Sequence, residues 1–236
     1  MTTPRRERLR RATVAEIKQA ALDTIAAEGP GSLSIRGIAR TIGMSPAGLY
    51  RYYDSLDDLL TELIADAYND LADAVDDAVA APGTVRDRLL AGMLAYREWS
   101  IDHRNRFLLI FGTPIPGYAA PEAGPTVEAN RRIGAAFFEI VHDGWRTGAL
   151  DLPAAPRPPT AAERQFLDGV APQFPAAWLP AFVGAWAHFH GMVTLEILGQ
   201  LDWIYPDGTD FYRTEVERLL DSWVADGPSE GADRAS

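Results

Sequence analysis

The chain has 236 residues, and 47% of them are apolar, enough for a packed core and against wholesale disorder. It has no cysteine, which excludes disulfides and thiolate metal sites and fits a reducing cytoplasm. Its net charge of −11 argues at first against a polyanionic partner, but residues 1–53 carry nine basic and four acidic side chains, a net of +5 that leaves −16 for the rest; a basic head on an acidic body fits a head that meets polyanions.

Met1-Thr2-Thr3-Pro4-Arg5-Arg6 opens a polar, Arg-rich stretch with no apolar run, so it does not read as a secretory leader. We expect residues 1–13 to be a basic arm. The first predicted helix, 14–28, carries Val14, Ile17, Ala21 and Ile25 on one face and stops at Gly29-Pro30-Gly31. Ser34 is placed to cap a second helix, with Leu33 and Ile38 as an apolar staple across its start. Ile35, Ile38, Ala39 and Ile42 follow helical spacing, and Gly43 stands where a left-handed residue ends such a helix. Ser45-Pro46 then starts a short third helix, 46–53, since Pro at the first helical position loses no needed hydrogen bond.

Ser55 and Asp58 mark the start of a fourth helix to about residue 80, with Leu56, Leu59, Leu60, Leu63, Ile64, Ala67, Leu71 and Val75 inward and a row of aspartates outward. Further helices are predicted over 84–102, 105–111 and 127–148. The segment 152–175 is rich in proline and is expected to be a long loop carrying only short helical turns. Two helices, 178–201 and 209–225, follow, with a frayed tail over 227–236. The fold class is all-α, with about nine helices, and no segment alternates with period two. The stretch 177–201 is apolar, but His188, His190 and Glu196 inside it argue for a buried interface helix over a membrane span.

The spacing of residues 35–53 is that of a helix-turn-helix: eight helical residues, a Gly-led turn and a capped short helix. Such a short helix fits the major groove of DNA with its first residues at base edges. The expected DNA-facing residues are Ser34, Arg36, Ser45, Pro46, Ala47, Gly48, Tyr50, Arg51 and Tyr52. Small Ala47 and Gly48 would allow close approach, and Tyr50, Arg51, Tyr52 and Arg36 would meet phosphates. A helical hairpin used only for packing is the plainer alternative.

Residues 14–64 resemble the DNA-binding domain of the tetracycline-repressor (TetR) family. The resemblance rests on Ala15-Glu16-Ile17, Ala26 to Gly29, Leu33-Ser34-Ile35-Arg36-Gly37-Ile38-Ala39, Gly43-Met44-Ser45-Pro46 and Leu49-Tyr50-Arg51-Tyr52-Tyr53-Asp54-Ser55. It implies that the third helix is the recognition helix and that the protein is a homodimer on double-stranded DNA. One position departs from the pattern: where the family has a phosphate-contacting Lys after Ser55, this chain has Leu56. That contact is lost, or is replaced by the Arg-rich arm. Trp186 to Gly191, followed by Leu195-Glu196, is similar to the Trp-His-Gly type of ligand-binding C-terminal domain, which implies a four-helix dimer interface from the last two long helices.

The expected division is therefore an arm (1–13), a DNA-binding domain (14–57), a ligand-binding and dimerisation domain (58–226) and the tail. The helix over 178–201 is apolar nearly all round, so two of its faces need burial. Phe182, Gly184, Ala187, Gly191, Leu195 and Leu198 are expected on the dimer face, with Tyr212, Val216, Leu219 and Trp223 from the last helix. The middle of the chain is rich in aromatics, including Tyr96 and Phe138. Trp99, His103, Phe107, Phe111, Phe137, Val141, Trp145, Trp186 and His190 are expected to line a pocket for a small apolar effector, against the simpler reading of plain core packing. No cofactor or metal is expected; His188 and His190 diverge by about 200° on a helix and cannot share an ion. Enzyme signatures such as GxSxG, GxGxxG, HExxH or a P-loop do not occur. Asn69-Asp70-Leu71-Ala72-Asp73 bears a faint likeness to the acidic metal-binding helices of isoprenoid enzymes, without a second matching cluster. The expected function is a cytoplasmic transcriptional repressor released from its operator by ligand; the alternatives are a ligand-blind DNA-binding dimer and an all-α enzyme.

Overall fold

The computed structural model describes residues 4–224. Ten α-helices run in chain order: α1 Pro4–Glu28, α2 Ile35–Thr41, α3 Pro46–Leu49, α4 Leu56–Val79, α5 Val85–Asp102, α6 Arg104–Phe111, α7 Pro125–Thr147, α8 Ala161–Val170, α9 Leu179–Ile197 and α10 Thr209–Trp223. Short 3-10 turns stand at Pro30–Ser32 and Ala176–Trp178. Among the described residues there is no strand, and Leu150 and Val224 form an isolated antiparallel bridge. None of the described helices is long and apolar enough to cross a membrane. The expected tail, 227–236, lies outside the described residues.

Two expected boundaries move. The first helix begins at Pro4, ten residues before its apolar period starts, so the basic arm is helical over its described part. The segment 152–175 holds a ten-residue helix, α8. Its start is encoded by Thr160 and Glu163, which form a reciprocal capping box: the Thr160 hydroxyl accepts from the Glu163 N–H at 3.2 Å, and the Glu163 carboxylate accepts from the Thr160 N–H at 2.7 Å.

The chain divides into two compact units. The first takes the chain up to Ala72 together with Asp102–Ile133; the second takes Asp73–Ile101 and the chain from Gly134. The breaks fall inside α4, before the last residue of α5 and inside α7. The core of the first unit is built from Ile17, Ala21 and Ile25 of α1, Ile35, Ile38 and Ala39 of α2, Leu49 of α3, and Leu59, Leu60, Leu63 and Ile64 of α4, with Leu109 of α6 added. α1, α2 and α4 each contribute an apolar stripe at helical spacing, and α3 and α6 add one buried leucine apiece, so that short helices share one core. In the second unit α10 buries Tyr212, Val216, Leu220 and Trp223, and α9 buries Ala185, Phe189, Met192, Val193 and Ile197.

Candidate functional site

The helix-turn-helix is set by local chemistry. The Ser34 hydroxyl accepts from the Gly37 N–H at 3.1 Å, and the Ser45 hydroxyl accepts from the Gly48 N–H at 3.1 Å, so both helices start on a side-chain cap. Gly43 has φ +67°, the left-handed value that lets the chain leave α2 and turn into α3. Leu49 and Tyr53 are buried, which anchors α3 by its inner side. Ser34, Arg36, Ser45, Pro46, Ala47, Tyr50 and Arg51 are exposed, while Gly48 and Tyr52 are half-buried. Gly48 has a packing role as well. A methyl group there would come within 2.9 Å of Met44 Cγ and 3.2 Å of the Ser45 hydroxyl, so its smallness serves the turn's own packing. The third helix is also shorter than expected: regular α-helix ends at Leu49, and Tyr50–Tyr52 continue as a turn.

A Ser45→Ala variant tests how far the cap holds this geometry. We expect a loss of about 1 kcal/mol in urea unfolding, the usual magnitude for a lost N-cap, with the same helix content.

Behind the turn lies a charged brace. Lys18 Nζ of α1 sits 2.7 Å from a Glu62 oxygen and 2.6 Å from an Asp66 oxygen, both on α4. Desolvation lowers the Lys18 pKa, but the bonds to Asp66 and Glu62 outweigh it and the net shift is upward. At Glu62 desolvation works upward, and Lys18, Tyr53 and Arg10 together bring the carboxyl below its usual range. Burial, and next the Glu62 carboxylate, pushes the Tyr53 phenol up, so it stays a neutral hydroxyl. The Arg10 guanidinium stands 5.5 Å from the centre of the Tyr52 ring, which ties the forward part of α1 to the turn that follows α3.

The residues expected to line one pocket are divided between the units. Phe107 and Phe111 pair in the first unit at 5.1 Å, with Tyr68 edge-on to Phe111 at 5.7 Å; His103 precedes α6 beside them in the chain. In the second unit Trp99 and Val141 are buried and Phe137 is half-buried. His190 Nδ1 lies 2.8 Å from the Tyr96 hydroxyl, and burial lowers the pKa of its ring. Trp186 stacks on His190 at 4.9 Å but is 51% exposed, and Trp145 is 41% exposed beside His142, so neither tryptophan lines an interior in this chain.

A denser aromatic group was missed. Phe138 packs on Phe182 at 4.2 Å, on Phe174 at 5.1 Å and on Phe166 at 6.4 Å. Phe166 and Phe174 were hidden in the proline-rich segment, and only the Thr160/Glu163 cap could have revealed the helix that carries Phe166. In the first unit a cleft of about 360 Å³ opens elsewhere, between the end of α1 and the start of α6, lined by Ile25, Pro30, Arg104 and Leu108 among others.

The two faces of α9 separate cleanly. Away from its buried side, Val183, Gly184, Trp186, Ala187, Leu195 and Leu198 are exposed and Gly191 is half-buried, whereas Phe182, expected on the pairing face, turns inward onto Phe138 and Phe174 of its own chain. On α10 the expectation needs correcting. Tyr212, Val216 and Trp223 were placed on a pairing face, but they are enclosed by their own unit at 1%, 0% and 4% exposure. Their stripe is an inward one, and only Leu219 of that set remains half-exposed. The acidic stretch at 69–73 is engaged as structure: Asp70 pairs with Arg106, and Asn69 accepts from Arg132 at 2.9 Å.

Comparison with known proteins agrees with this geometry. A family model described as "Bacterial regulatory proteins, tetR family" matches residues 17–63, the span of the capped helix-turn-helix with Lys18 and Glu62 of its brace. A second, described as "Tetracyclin repressor-like, C-terminal domain", matches residues 89–219. HTH-type transcriptional regulators of Mycobacterium bovis and Mycobacterium tuberculosis are each 37% identical over 179 residues, which is 73% of this chain and 75% of theirs. The crystal structure of the regulatory protein SCO4313 superposes with a TM-score of 0.72 at 34% identity, covering 92% of this chain and 98% of that one. With a doubly capped reading head at one end and a matching C-terminal domain over most of the remainder, the chain belongs to the TetR family of DNA-binding transcriptional regulators.

Proposed function

We propose that this regulator is a cytoplasmic repressor that binds a near-palindromic operator as a homodimer and leaves it when a small, largely apolar ligand binds the C-terminal domain. The observation that carries the reading is the second apolar face of α9. A helix in contact with water on one side normally shows polar residues there, whereas α9 with its C-cap exposes Leu195 and Leu198 beside small Gly184 and Ala187, with Val183 at the margin. Small residues between larger apolar ones suit a close helix crossing with a second copy. Two-fold pairing makes the operator two-fold as well, with half-sites about 34–36 Å apart. Residues 14–57 would do the reading and residues 58–226 the pairing and sensing. The aromatic group around Phe138 and the Tyr96–His190 pair supply the apolar surface and the polar handle that a ligand of this kind needs. A ligand that binds better to a form with wrongly spaced heads releases the DNA.

Selection of bound sequences from random duplex DNA tests the reading, and a near-palindrome is the expected product. On that duplex Arg36→Ala should weaken binding to all sequences alike and lower the slope of log affinity against log salt by about 1. A loss confined to one base pair would instead make Arg36 a base reader. Apolar compounds that raise the thermal midpoint should also lower operator affinity; compounds that do the first and never the second would leave a ligand-blind regulator.

A further inference from the structure

The forward turns of α1 are an unusual piece of helix. Residues 4–12 hold Arg5, Arg6, Arg8, Arg10 and Arg11 against a single acid, Glu7, and every one of these side chains is exposed. Leu9, the apolar residue among them, is 58% exposed. No buried residue of α1 occurs before Ile17. The segment therefore gains nothing from core burial and is held only by propagation from the packed part of α1, which leaves it a fraying end in water. Its charges work against it as well. Cations gather at the positive end of the helix dipole, and like charges stand three or four residues apart at 5/8, 8/11 and 6/10. The described ties of the segment to the rest of its unit all run through Arg10, whose guanidinium stands over the Tyr52 ring and whose charge also acts on Glu62. The Tyr52 contact makes it continuous with the turn that follows α3.

We propose that residues 4–12 form a helix coupled to duplex DNA: the arginines grip phosphates flanking the bases read by α3, and the bound backbone in turn consolidates the helix. A polyanion removes both penalties at once, since it neutralises the like charges and sits favourably at the positive end of the dipole. The geometry allows the contact without demanding one orientation. At 100° per residue, Arg5, Arg6, Arg8 and Arg11 spread around the axis, so any side other than the one resting on Tyr52 presents about two guanidiniums. The helix rises about 7.5 Å from Arg10 to Arg5, and an arginine stem extends that reach. This segment replaces, by a different element, the phosphate contact that Leu56 cannot make; Leu56 is half-buried against the head's core. The inference rests on the DNA-binding reading of α2 and α3.

The test uses the full-length protein, the duplex enriched from random DNA and a variant with Arg5, Arg6, Arg8 and Arg11 all changed to Gln. Arg10 stays, so the Tyr52 contact is kept. The variant should select the same base sequence but lose about 2 from the salt slope, so that a fourfold rise in salt costs the unaltered protein about 15-fold more affinity than the variant. Amide hydrogen exchange at residues 8–12 should be fast in the free protein and slow on the duplex. A second variant, Leu9→Pro, keeps every charge and breaks the helix; it should show the same loss of slope and of protection. If the unaltered protein binds no duplex, the DNA reading itself fails. If it binds and the four-Gln variant has an equal slope, only the inference fails. If Leu9→Pro behaves as the unaltered protein does, the arginines act as a disordered tail and the coupled helix is wrong.

Discussion

Arg97→Met should cost the protein about 3–5 kcal/mol in urea unfolding at neutral pH, the usual penalty for stranding one partner of a buried ion pair. Arg97 of α5 and Glu196 of α9 have side chains only 11% and 15% exposed. The guanidinium is bidentate: Nε donates to one carboxylate oxygen at 2.9 Å and Nη2 donates to the other. It also stands over the Tyr212 ring of α10 at 5.9 Å, with Asp207 at 3.8 Å on its open side. The Tyr212 hydroxyl donates back to the Met93 carbonyl of α5 at 3.2 Å, so one charged pair ties three helices of the second unit. Domains are stable by only about 5–15 kcal/mol, so this loss is a large fraction of the whole. Two controls separate the stranded charge from lost packing. The Met variant should recover part of its stability as pH falls, because the isolated carboxylate can then take a proton. The double change Arg97→Met with Glu196→Leu should come back to within about 1–2 kcal/mol of the unaltered protein, since well-packed apolar replacement of a whole buried pair is often close to neutral. If the double variant is as weak as the single one, the pair's worth lies in its packing with Tyr212 and not in charge compensation.

What the sequence made legible follows the range of the interactions. Ser34, Gly43, Ser45 and Pro46 act within four residues of themselves, and each stands in the structure as read. The inward row of α4 was likewise legible, because Leu59, Leu60, Leu63, Ala67, Leu71 and Val75 fix a helical period over five turns. The start of α1 was not, since residues 4–12 carry no apolar period and the helix there has no core to point at. Helix α8 was hidden by Pro153, Pro156, Pro158 and Pro159, which end where the Thr160 cap begins. The pairing of side chains was the least legible of all. A stripe such as Tyr212, Val216 and Trp223 announces that something covers it, but period alone does not say whether the cover is the same chain or another. The nine residues expected around a ligand were chosen for chemistry, and chemistry without contacts cannot assign Phe107 to one unit and Phe137 to the other.

The outer face of α9 carries the second large effect. A charge at its C-terminal end should separate the two copies of the proposed pair while leaving each folded. Leu195 and Leu198 are 39% and 48% exposed in the single chain, so Leu195→Glu or Leu198→Glu replaces no core contact there, and helix content and the urea midpoint at low protein concentration should hold. In a two-fold pair each substitution appears twice. Burying an unpaired charge costs several kcal/mol, so about 4–8 kcal/mol falls on the interface, a weakening of about 10³–10⁶ in the dimer dissociation constant. Sedimentation equilibrium reads this directly. Operator binding should fall with it, because a single head makes half the phosphate and base contacts and loses the advantage of its tethered twin. The salt slope on the operator should also drop to about half, a change that no local damage to α3 would produce. A Glu variant that sediments as the unaltered protein does, at concentrations where that protein is dimeric, would mean that the copies meet through another surface. The exposed side carrying Gly184, Ala187, Leu195 and Leu198 would then need a different partner, and the two-fold operator would lose its structural basis.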